Sequence, residues 1–315
     1  MKILVTGATG VIGSRLIPRL VAAGHDVTAA VRSPERASDL AGAGARPVHV
    51  DLFDKSAVAL AVHGQDAIIN LATHLPDSMT ALFRPGAWPE NDRLRREASA
   101  GLVDAGINDG VPRFIQESFA LVYPGRGDEW IDETTELAPV RYNRTVADAE
   151  AAAERYTAAG GVGVVLRFGA FYGPDAFQIR DFAQALRYGW ALLPSRPDAF
   201  ISSISHDDAA AATASVLDVP AGTYNVVDDE PLSRRDYFNA LAQALGLKEP
   251  HLLPGWTAVL FGSIGEMLAR SLRISNRKLR HAANWAPQYP SVRRGFPAMI
   301  AEMQASNDMS RDKAA

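Results

Sequence analysis

Residues 2–13 read KILVTGATGVIG, and this stretch decides the fold. KILV is a short apolar run that predicts a buried strand, and the residues from Val11 onward place apolar side chains at helical spacing. Gly7, Gly10 and Gly13 fall in and after the turn between these segments, in a G-x-x-G-x-x-G pattern. Glycine allows a tight turn, close approach of the backbone to a ligand and close packing of helix on strand. The stretch therefore predicts a strand, a tight turn and a helix.

The same alternation of strand and helix continues along the first half of the chain. Further strands are predicted at residues 26–32, 45–52, 66–72, 112–118 and 162–174, with helical segments between them. Such alternation favours a parallel sheet that is covered by helices on both faces. The sequence therefore predicts an α/β fold with a doubly wound, Rossmann-type parallel sheet.

Composition divides the chain into a larger and a smaller part. We expect residues 1–174 to form the Rossmann domain, with residues 206–228 returning to it. Residues 175–205 and 229–305 carry aromatic residues and prolines in less regular order, and they predict a smaller C-terminal α/β lobe that holds the substrate. The polar residues 306–315 predict a flexible tail.

Composition also excludes several kinds of site and partner. The 315-residue chain has no cysteine, which rules out disulfides, thiolate metal sites and a cysteine nucleophile. Its seven histidines lack the spacing of a helical zinc site, so we expect no metal. A net charge of −4 without a basic stripe gives no support for nucleic-acid binding, and no apolar run approaches the ~20 residues that span a bilayer. We expect a cytoplasmic protein whose partner is a small-molecule substrate, with neither nucleic acid nor membrane bound.

The glycine-rich turn predicts a site for the pyrophosphate of a dinucleotide. A helix N-terminus offers free N–H groups and the positive end of its dipole to phosphates. The position after the first strand, within a series of strand-helix-strand units, supplies the context that a chance glycine pattern would lack. An alternative is a turn that merely connects two elements. The predicted contacts in this turn are Thr6, Gly7, Thr9, Gly10, Val11, Ile12 and Gly13.

The end of the second strand indicates which cofactor is bound. An acidic residue there accepts a hydrogen bond from the 2′-hydroxyl of NAD, whereas arginine pairs with the 2′-phosphate of NADP. Arg32 stands at this place, with Ser33 beside it and Arg36 one turn later. The pattern favours NADP(H) over NAD(H), although an arginine that is only solvated in a loop is an alternative.

An ordered set of motifs resembles the extended short-chain dehydrogenase/reductase superfamily, specifically its NAD-dependent epimerase/dehydratase group. The motifs are TGATGVIG at 6–13, VHVDLFD at 48–54, NLA at 70–72, LRFGAFYGP at 166–174, ISHDDAAAA at 204–212 and NWAPQYPSVRRGF at 284–296. The resemblance implies a Rossmann fold and, in many members, a homodimer. It also implies cofactor contacts at Asp51 and Leu52 near the adenine, at Leu71, Ala72 and Thr73 along the cofactor's path, and at Phe168, Gly169 and Phe171 beside the nicotinamide. For Phe168, a buried strand end that packs apolar rings is an alternative.

The catalytic residues depart from the pattern of this family. Members that transfer a hydride have a serine or threonine near the end of strand five and a Tyr-x-x-x-Lys on the next helix. Tyr142 aligns with the tyrosine, but Val146 occupies the lysine position, and the serine position falls on Phe119, one residue after Ser118. A tyrosine without the lysine keeps a pKa of about 10 and is a poor base at neutral pH. The candidate catalytic residues are Tyr142, Ser118 and His74, since a histidine titrates near neutrality.

These features favour a reductase over an enzyme that oxidises an alcohol. The cofactor carries the hydride chemistry, so a reductase tolerates the loss of the lysine better than an oxidation that must deprotonate its substrate. We predict an NADPH-dependent oxidoreductase that reduces a carbonyl on a small, fairly apolar molecule with a non-standard proton donor. One alternative is a sugar-nucleotide epimerase or dehydratase, against which Val146 counts. The other is a catalytically silent NADP-binding sensor or regulatory protein.

Overall fold

The computed structural model describes residues 1–32, 34–76, 78, 80–84, 86–194 and 196–312. Strands and helices alternate through its first half, as the sequence predicts. The elements of this half are β1 (Lys2–Thr6), α1 (Gly13–Ala22), β2 (Asp26–Val31), α2 (Ala37–Gly42), β3 (Arg46–His49), α3 (Lys55–Val62), β4 (Ala67–Asn70), α4 (Pro89–Arg93), a π-helical segment (Leu94–Ala98), α5 (Ser99–Asp109), β5 (Arg113–Phe119), β6 (Trp130–Ile131), α6 (Val146–Ala158) and β7 (Val162–Phe168).

The second half of the chain has shorter strands. Its elements are β8 (Ala170–Tyr172), α7 (Phe177–Arg187), β9 (Trp190–Ala191), β10 (Phe200–Ile201), β11 (Ser203–Ser205), α8 (His206–Ser215), β12 (Gly222–Val226), β13 (Leu232–Ser233), α9 (Arg234–Ala244), β14 (His251–Leu252), α10 (Gly262–Ala269), β15 (Arg273–Ile274), α11 (Arg277–Ala283) and α12 (Val292–Asp312). Short 3₁₀ helices lie at Pro34–Arg36, Ala81–Phe83, Ala120–Val122, Val216–Asp218 and Gly255–Phe261.

The central sheet contains seven strands within the described residues, in the order β12-β7-β5-β4-β1-β2-β3. Every neighbouring pair in it is parallel. The strand order reverses between β1 and β4, and open α/β sheets bind their ligands outside the carboxyl ends of the strands at such a point. The predicted doubly wound fold is confirmed, and the switch point places a cleft beside the glycine-rich turn.

Both faces of the sheet are buried against helices. Side chains alternate between the faces of a strand, so Ile3 and Val5 of β1 pack on one side with Leu16 of α1. Leu4 points to the opposite side, where Phe114 of β5 also packs. Burial on both sides explains why these strands read as continuous apolar runs.

The predicted strand at 162–174 is interrupted at Gly169. Its first part, β7, belongs to the central sheet, whereas β8 pairs with β11. A Cβ on Gly169 would lie 2.7 Å from the backbone oxygen of Ser202. This close backbone approach directs the chain out of the central sheet, so the prediction of one continuous strand is wrong at this residue.

A second hydrophobic core joins α7, α9 and α12. Phe182, Phe238 and Phe296 are buried in it together with Tyr172 of β8. Helix α12 extends to Asp312, so residues 306–312 are helical where the polar composition predicts a flexible tail.

A buried ion pair joins the sheet to α6. Arg167 of β7 donates to both carboxylate oxygens of Glu150, at 2.8 and 2.7 Å, and both side chains are 7% exposed. Arg167 also donates to the hydroxyl of Tyr123 at 2.6 Å, and that hydroxyl donates to Asn225 at 2.9 Å. The network therefore connects β7, α6, β12 and the chain after β5 through side chains that are almost fully buried.

Removal of one partner from this network should destabilise the protein strongly. We expect Glu150→Ala to lower the free energy of unfolding by about 3–5 kcal/mol, because it leaves the Arg167 charge buried and unpaired. Asp104→Ala is the matched control, since its pair with Arg155 is exposed and should contribute at most about 1 kcal/mol. Urea denaturation measures both, and equal losses would contradict a special role for the buried pair.

Candidate cofactor cleft and active site

A cavity of about 450 Å³ lies at the carboxyl ends of β1, β2 and β4, beside the strand-order reversal. We call it the cleft. Its lining residues are Thr6, Gly7, Thr9, Gly10, Ala30, Val31, Arg32, Arg36, Val50, Leu52, Leu71, Ala72, Thr73 and Leu94. The lining includes nine of the predicted cofactor contacts, namely Thr6, Gly7, Thr9, Gly10, Arg32, Leu52, Leu71, Ala72 and Thr73.

The turn that borders the cleft requires glycine at two positions. Gly7 has φ of +65°, and a Cβ on it would lie 2.3 Å from the backbone oxygen of Leu71. A Cβ on Gly13 would lie 2.4 Å from the backbone oxygen of Gly7. Only glycine fits either place, because both neighbouring atoms belong to the backbone. The result is a compact turn whose outer side faces the cleft.

The start of α1 presents free hydrogen-bond donors beside this turn. The N–H groups of Val11, Ile12 and Gly13 donate to no other residue in the part of the chain that the structure describes. The first turn of α1 contains no acidic side chain of its own that would neutralise the positive end of the helix dipole. These groups suit an anion such as a pyrophosphate.

Two arginines stand at the outer end of the cleft. Arg36 donates to the backbone oxygen of Thr9 at 3.3 Å, and Arg32 donates from Nη1 to Oε1 of Glu90 at 2.6 Å. Arg32 is 68% exposed, so its guanidinium is accessible to a ligand. Ser33, the other residue predicted for this place, lies outside the described residues.

Several residues that the family resemblance implies do not line the cleft. Asp51 is exposed and accepts a hydrogen bond from the backbone N–H of Phe53 at 2.9 Å. Phe168 is fully buried in the core, Gly169 is also buried, and Phe171 packs against the Phe168 ring at 5.4 Å. For Phe168, the structure favours the alternative reading of a buried strand end.

Tyr142 lies just before α6, with its ring edge-on to Trp88 at a centroid distance of 4.1 Å. Val146, at the family's lysine position, is 1% exposed and is the first residue of α6. Burial raises the pKa of Tyr142 above its usual range, Arg95 opposes this shift, and Asp92 adds to it. The phenol therefore stays protonated at neutral pH.

Ser118 and His74 occupy different surroundings. Ser118 is 1% exposed, and its hydroxyl donates to Glu150 within the buried ion-pair network. Successive side chains of a strand point to opposite faces, so Ser118 points away from the face of β5 that carries its neighbour Glu117. Tyr142 interacts electrostatically with Glu117, so the structure does not bring Ser118 to Tyr142. His74 follows the cleft residue Thr73, is about half exposed, and places Nδ1 3.7 Å from Oε1 of Glu90.

Two further charged residues near Tyr142 were absent from the sequence-based set. Arg95 is 6% exposed in the π-helical segment, and Glu117 is 9% exposed on β5. Burial raises the pKa of the Glu117 carboxyl, and Arg95 opposes that shift. The sequence did contain a signal for Arg95. At helical spacing Arg95 shares one face with Ala98, Ser99 and Leu102, and the small and apolar side chains of that face predict that it is buried.

The described residues contain neither a cluster of metal ligands nor a membrane-spanning helix. Within them, no three histidine or acidic side chains come together in a way that could hold a metal ion. In the same part of the chain, no helix combines the length and the apolar character needed to cross a bilayer.

The sequence model of the NAD(P)H-binding family matches residues 7–220, which include all three glycines of the turn and every lining residue of the cleft except Thr6. The chain belongs to the NAD(P)H-binding family. It is 35% identical over 310 residues to a 3-diazoavenalumate denitrifying reductase from Streptomyces sp, an alignment that covers 94% of this chain and 99% of the relative.

Other relatives of this NAD(P)H-binding chain have related names. It is 27% identical to 4-hydroxy-2-methyl-3-oxo-4-farnesyl-3,4-dihydroquinoline-1-oxide ketoreductase from Stigmatella aurantiaca, over 86% of this chain and 82% of that one. A solved structure of MoeE5 in complex with UDP-glucuronic acid and NAD superposes with a TM-score of 0.77 at 25% identity, covering 97% of this chain and 100% of that one. The expected membership of the extended short-chain dehydrogenase/reductase superfamily is confirmed, and the chain is an NAD(P)-dependent oxidoreductase of reductase type.

Substitution of Gly7 should disrupt both the turn and nucleotide binding. We expect Gly7→Ala to abolish binding of NADPH, because the new Cβ pushes β1 away from Leu71 and distorts the cleft. Gly64→Ala is the control, since Gly64 has φ of +71° with open space around it and should cost about 1–2 kcal/mol of stability without affecting binding. Calorimetric titration and urea denaturation measure the two effects, and unchanged binding in Gly7→Ala would contradict the assignment.

Proposed function

We propose that this chain is an NADPH-dependent reductase of an electrophilic group on a small, fairly apolar molecule, and that it works without a lysine-activated tyrosine. The reductase names of its relatives support the reaction type. The observation that carries the rest of the proposal is the buried Val146 at the lysine position, next to a tyrosine whose pKa lies above the usual range.

Residues in and beside the cleft would hold the cofactor's phosphates at two places. The N–H groups of Val11, Ile12 and Gly13 would hold the pyrophosphate, while the guanidinium groups of Arg32 and Arg36 would hold the 2′-phosphate. When bound, the reduced nicotinamide supplies a hydride to the substrate. Arg32 and Arg36 follow β2 and line the cleft, and the described lining contains no acidic side chain. This composition supports NADPH over NADH.

Loss of the Arg32 guanidinium should weaken NADPH binding selectively. We expect Arg32→Gln to raise the Kd for NADPH about 10- to 100-fold, the effect of losing charge-assisted hydrogen bonds to a phosphate. The Kd for NADH should change less than about twofold, because NADH lacks that phosphate. Calorimetric titration with both nucleotides measures the effect, and equal weakening of the two would contradict the phosphate role.

The protonation state of Tyr142 decides which direction of reaction the site favours. A protonated phenol cannot remove a proton from an alcohol, so oxidation at neutral pH lacks a base. Reduction of a carbonyl produces an alkoxide, which a protonated phenol or water can neutralise. The positive charge of Arg95 would stabilise the phenolate that remains.

The carbonyl predicted from sequence is one acceptor, and the ketoreductase relative supports it. The denitrifying relative favours a second acceptor, a diazo compound. Replacement of an aryl diazonium group by hydride gives a C–H bond and releases N₂, so atoms and charge balance without a proton from the protein. This acceptor fits Val146 at the lysine position and a protonated Tyr142, because the reaction requires no proton transfer from the protein.

The effect of Tyr142→Phe should depend on the acceptor. With ketones, aldehydes or quinones we expect kcat to fall about 100-fold or more, because the proton donor is lost. With an aryl diazonium salt we expect a change of less than about twofold, because no proton is needed. Tyr188→Phe, at a side chain that is 78% exposed, is the control. Loss of NADPH absorbance measures turnover, and equal losses with both acceptor classes would contradict the proton-donor role.

The same assay separates the two alternative functions. Tight NADPH binding with no consumption in the presence of any acceptor would favour the silent sensor. Conversion of a sugar nucleotide would favour the epimerase or dehydratase. This class is considered because the similar MoeE5 structure contains UDP-glucuronic acid. Val146 counts against that class, because the chemistry depends on a competent tyrosine and lysine.

A further inference from the structure

Glu90 connects the two sides of the cleft mouth. It lies in α4, which follows the loop after β4, while Arg32 follows β2 on the other side. Oε1 of Glu90 accepts a hydrogen bond from Nη1 of Arg32 at 2.6 Å. The guanidinium of Arg32, which lines the cleft, is therefore paired with a carboxylate 58 residues away in sequence.

The pair is placed so that a ligand can exchange with it. Both side chains are solvent-accessible, at 68% for Arg32 and 43% for Glu90, so separating them leaves neither charge buried. Exposed ion pairs are weak, whereas a phosphate carries more charge and binds guanidinium through two oxygens. A 2′-phosphate at Arg32 would therefore displace Glu90, but it would do so against a competitor.

Glu90 also supplies a group that β2 lacks. In dinucleotide-binding folds a carboxylate at the end of the second strand accepts the ribose 2′-hydroxyl of NAD. Here that position is Arg32, and α4 supplies the Glu90 carboxylate beside it. Its Oε1 lies 3.7 Å from Nδ1 of His74, so the carboxylate retains a polar neighbour when Arg32 turns to a phosphate.

We propose that Glu90 is a second determinant of cofactor choice, which restrains the preference for NADPH by competing with the 2′-phosphate for Arg32. This inference rests on the proposed binding of NADPH at Arg32. It assigns cofactor selectivity to a pair of residues on separate elements, in which Arg32 favours NADPH and Glu90 opposes it.

Calorimetric titration of Glu90→Gln with NADPH and NADH tests the inference without any acceptor. We expect the Kd for NADPH to fall about 3- to 10-fold, from the loss of the ion pair that competes for Arg32, while the Kd for NADH stays the same or rises. An unchanged Kd for NADPH, or an equal fall for both nucleotides, would overturn the inference.

Two further variants isolate the cause. Glu97 lies in the π-helical segment that follows α4, and its carboxylate pairs with Arg93 at 2.9 Å. Glu97→Gln should leave the Kd values for NADPH and NADH unchanged. In an Arg32→Gln background, Glu90→Gln should no longer tighten NADPH, because the contested guanidinium is gone. The same tightening in both backgrounds would show that Glu90 does not act through Arg32 and would overturn the inference.

Wild-type binding separates this inference from the proposed function. Wild-type protein that binds neither nucleotide would refute the proposed function and the role of Glu90 with it. Wild-type protein that binds NADPH, together with a Glu90→Gln variant of unchanged selectivity, would refute the role of Glu90 alone.

Discussion

The close approach of Gly7 to Leu71 is the constraint on which the cleft depends. The end of β1 can turn beside the end of β4 only because no side chain stands between the two backbones. This turn leads into α1 beside the strand-order reversal, and the first N–H groups of the helix have no backbone partner among the described residues. The fold then supplies the rest: β2 brings Arg32 to the outer end of the cleft, and β4 brings Leu71, Ala72 and Thr73 to its floor.

The parts of the fold that depend on local sequence could be predicted from the sequence. The glycine turn and the alternation of apolar strands with helices are short-range patterns, and both predict the doubly wound sheet. The break at Gly169 could not be predicted, because it depends on the backbone of Ser202, which is distant in sequence. The same holds for Arg167 with Glu150, whose pairing requires the finished sheet.

The site was predictable to a similar extent. Nine of the predicted contacts, at the glycine-rich turn, at Leu52 and at the ends of β2 and β4, line the cleft, whereas Val11, Ile12 and Gly13 are not part of its lining. Asp51 and Phe168 do not line the cleft, since turn capping and core packing decide where their side chains point. The pairing of Arg32 with Glu90 could not be predicted from the sequence, because Glu90 belongs to a separate element.

Val146 stands where the family pattern has a lysine, yet the surroundings of Tyr142 still carry charge. Arg95 supplies a buried cation near Tyr142, but Glu117 and Asp92 offset it, and burial of the phenol has the larger effect. A site of this kind keeps its tyrosine protonated. It is suited to reactions in which the cofactor does the chemistry and the protein supplies position, at most one proton, and little else.

A crystal structure of the chain with NADP⁺ bound tests the central claim most directly. The account predicts pyrophosphate oxygens within hydrogen-bond distance of the N–H groups of Val11 and Ile12, and the 2′-phosphate on Arg32 in place of Glu90. A nucleotide bound elsewhere, or a 2′-phosphate that projects into solvent while Arg32 stays paired with Glu90, would contradict it.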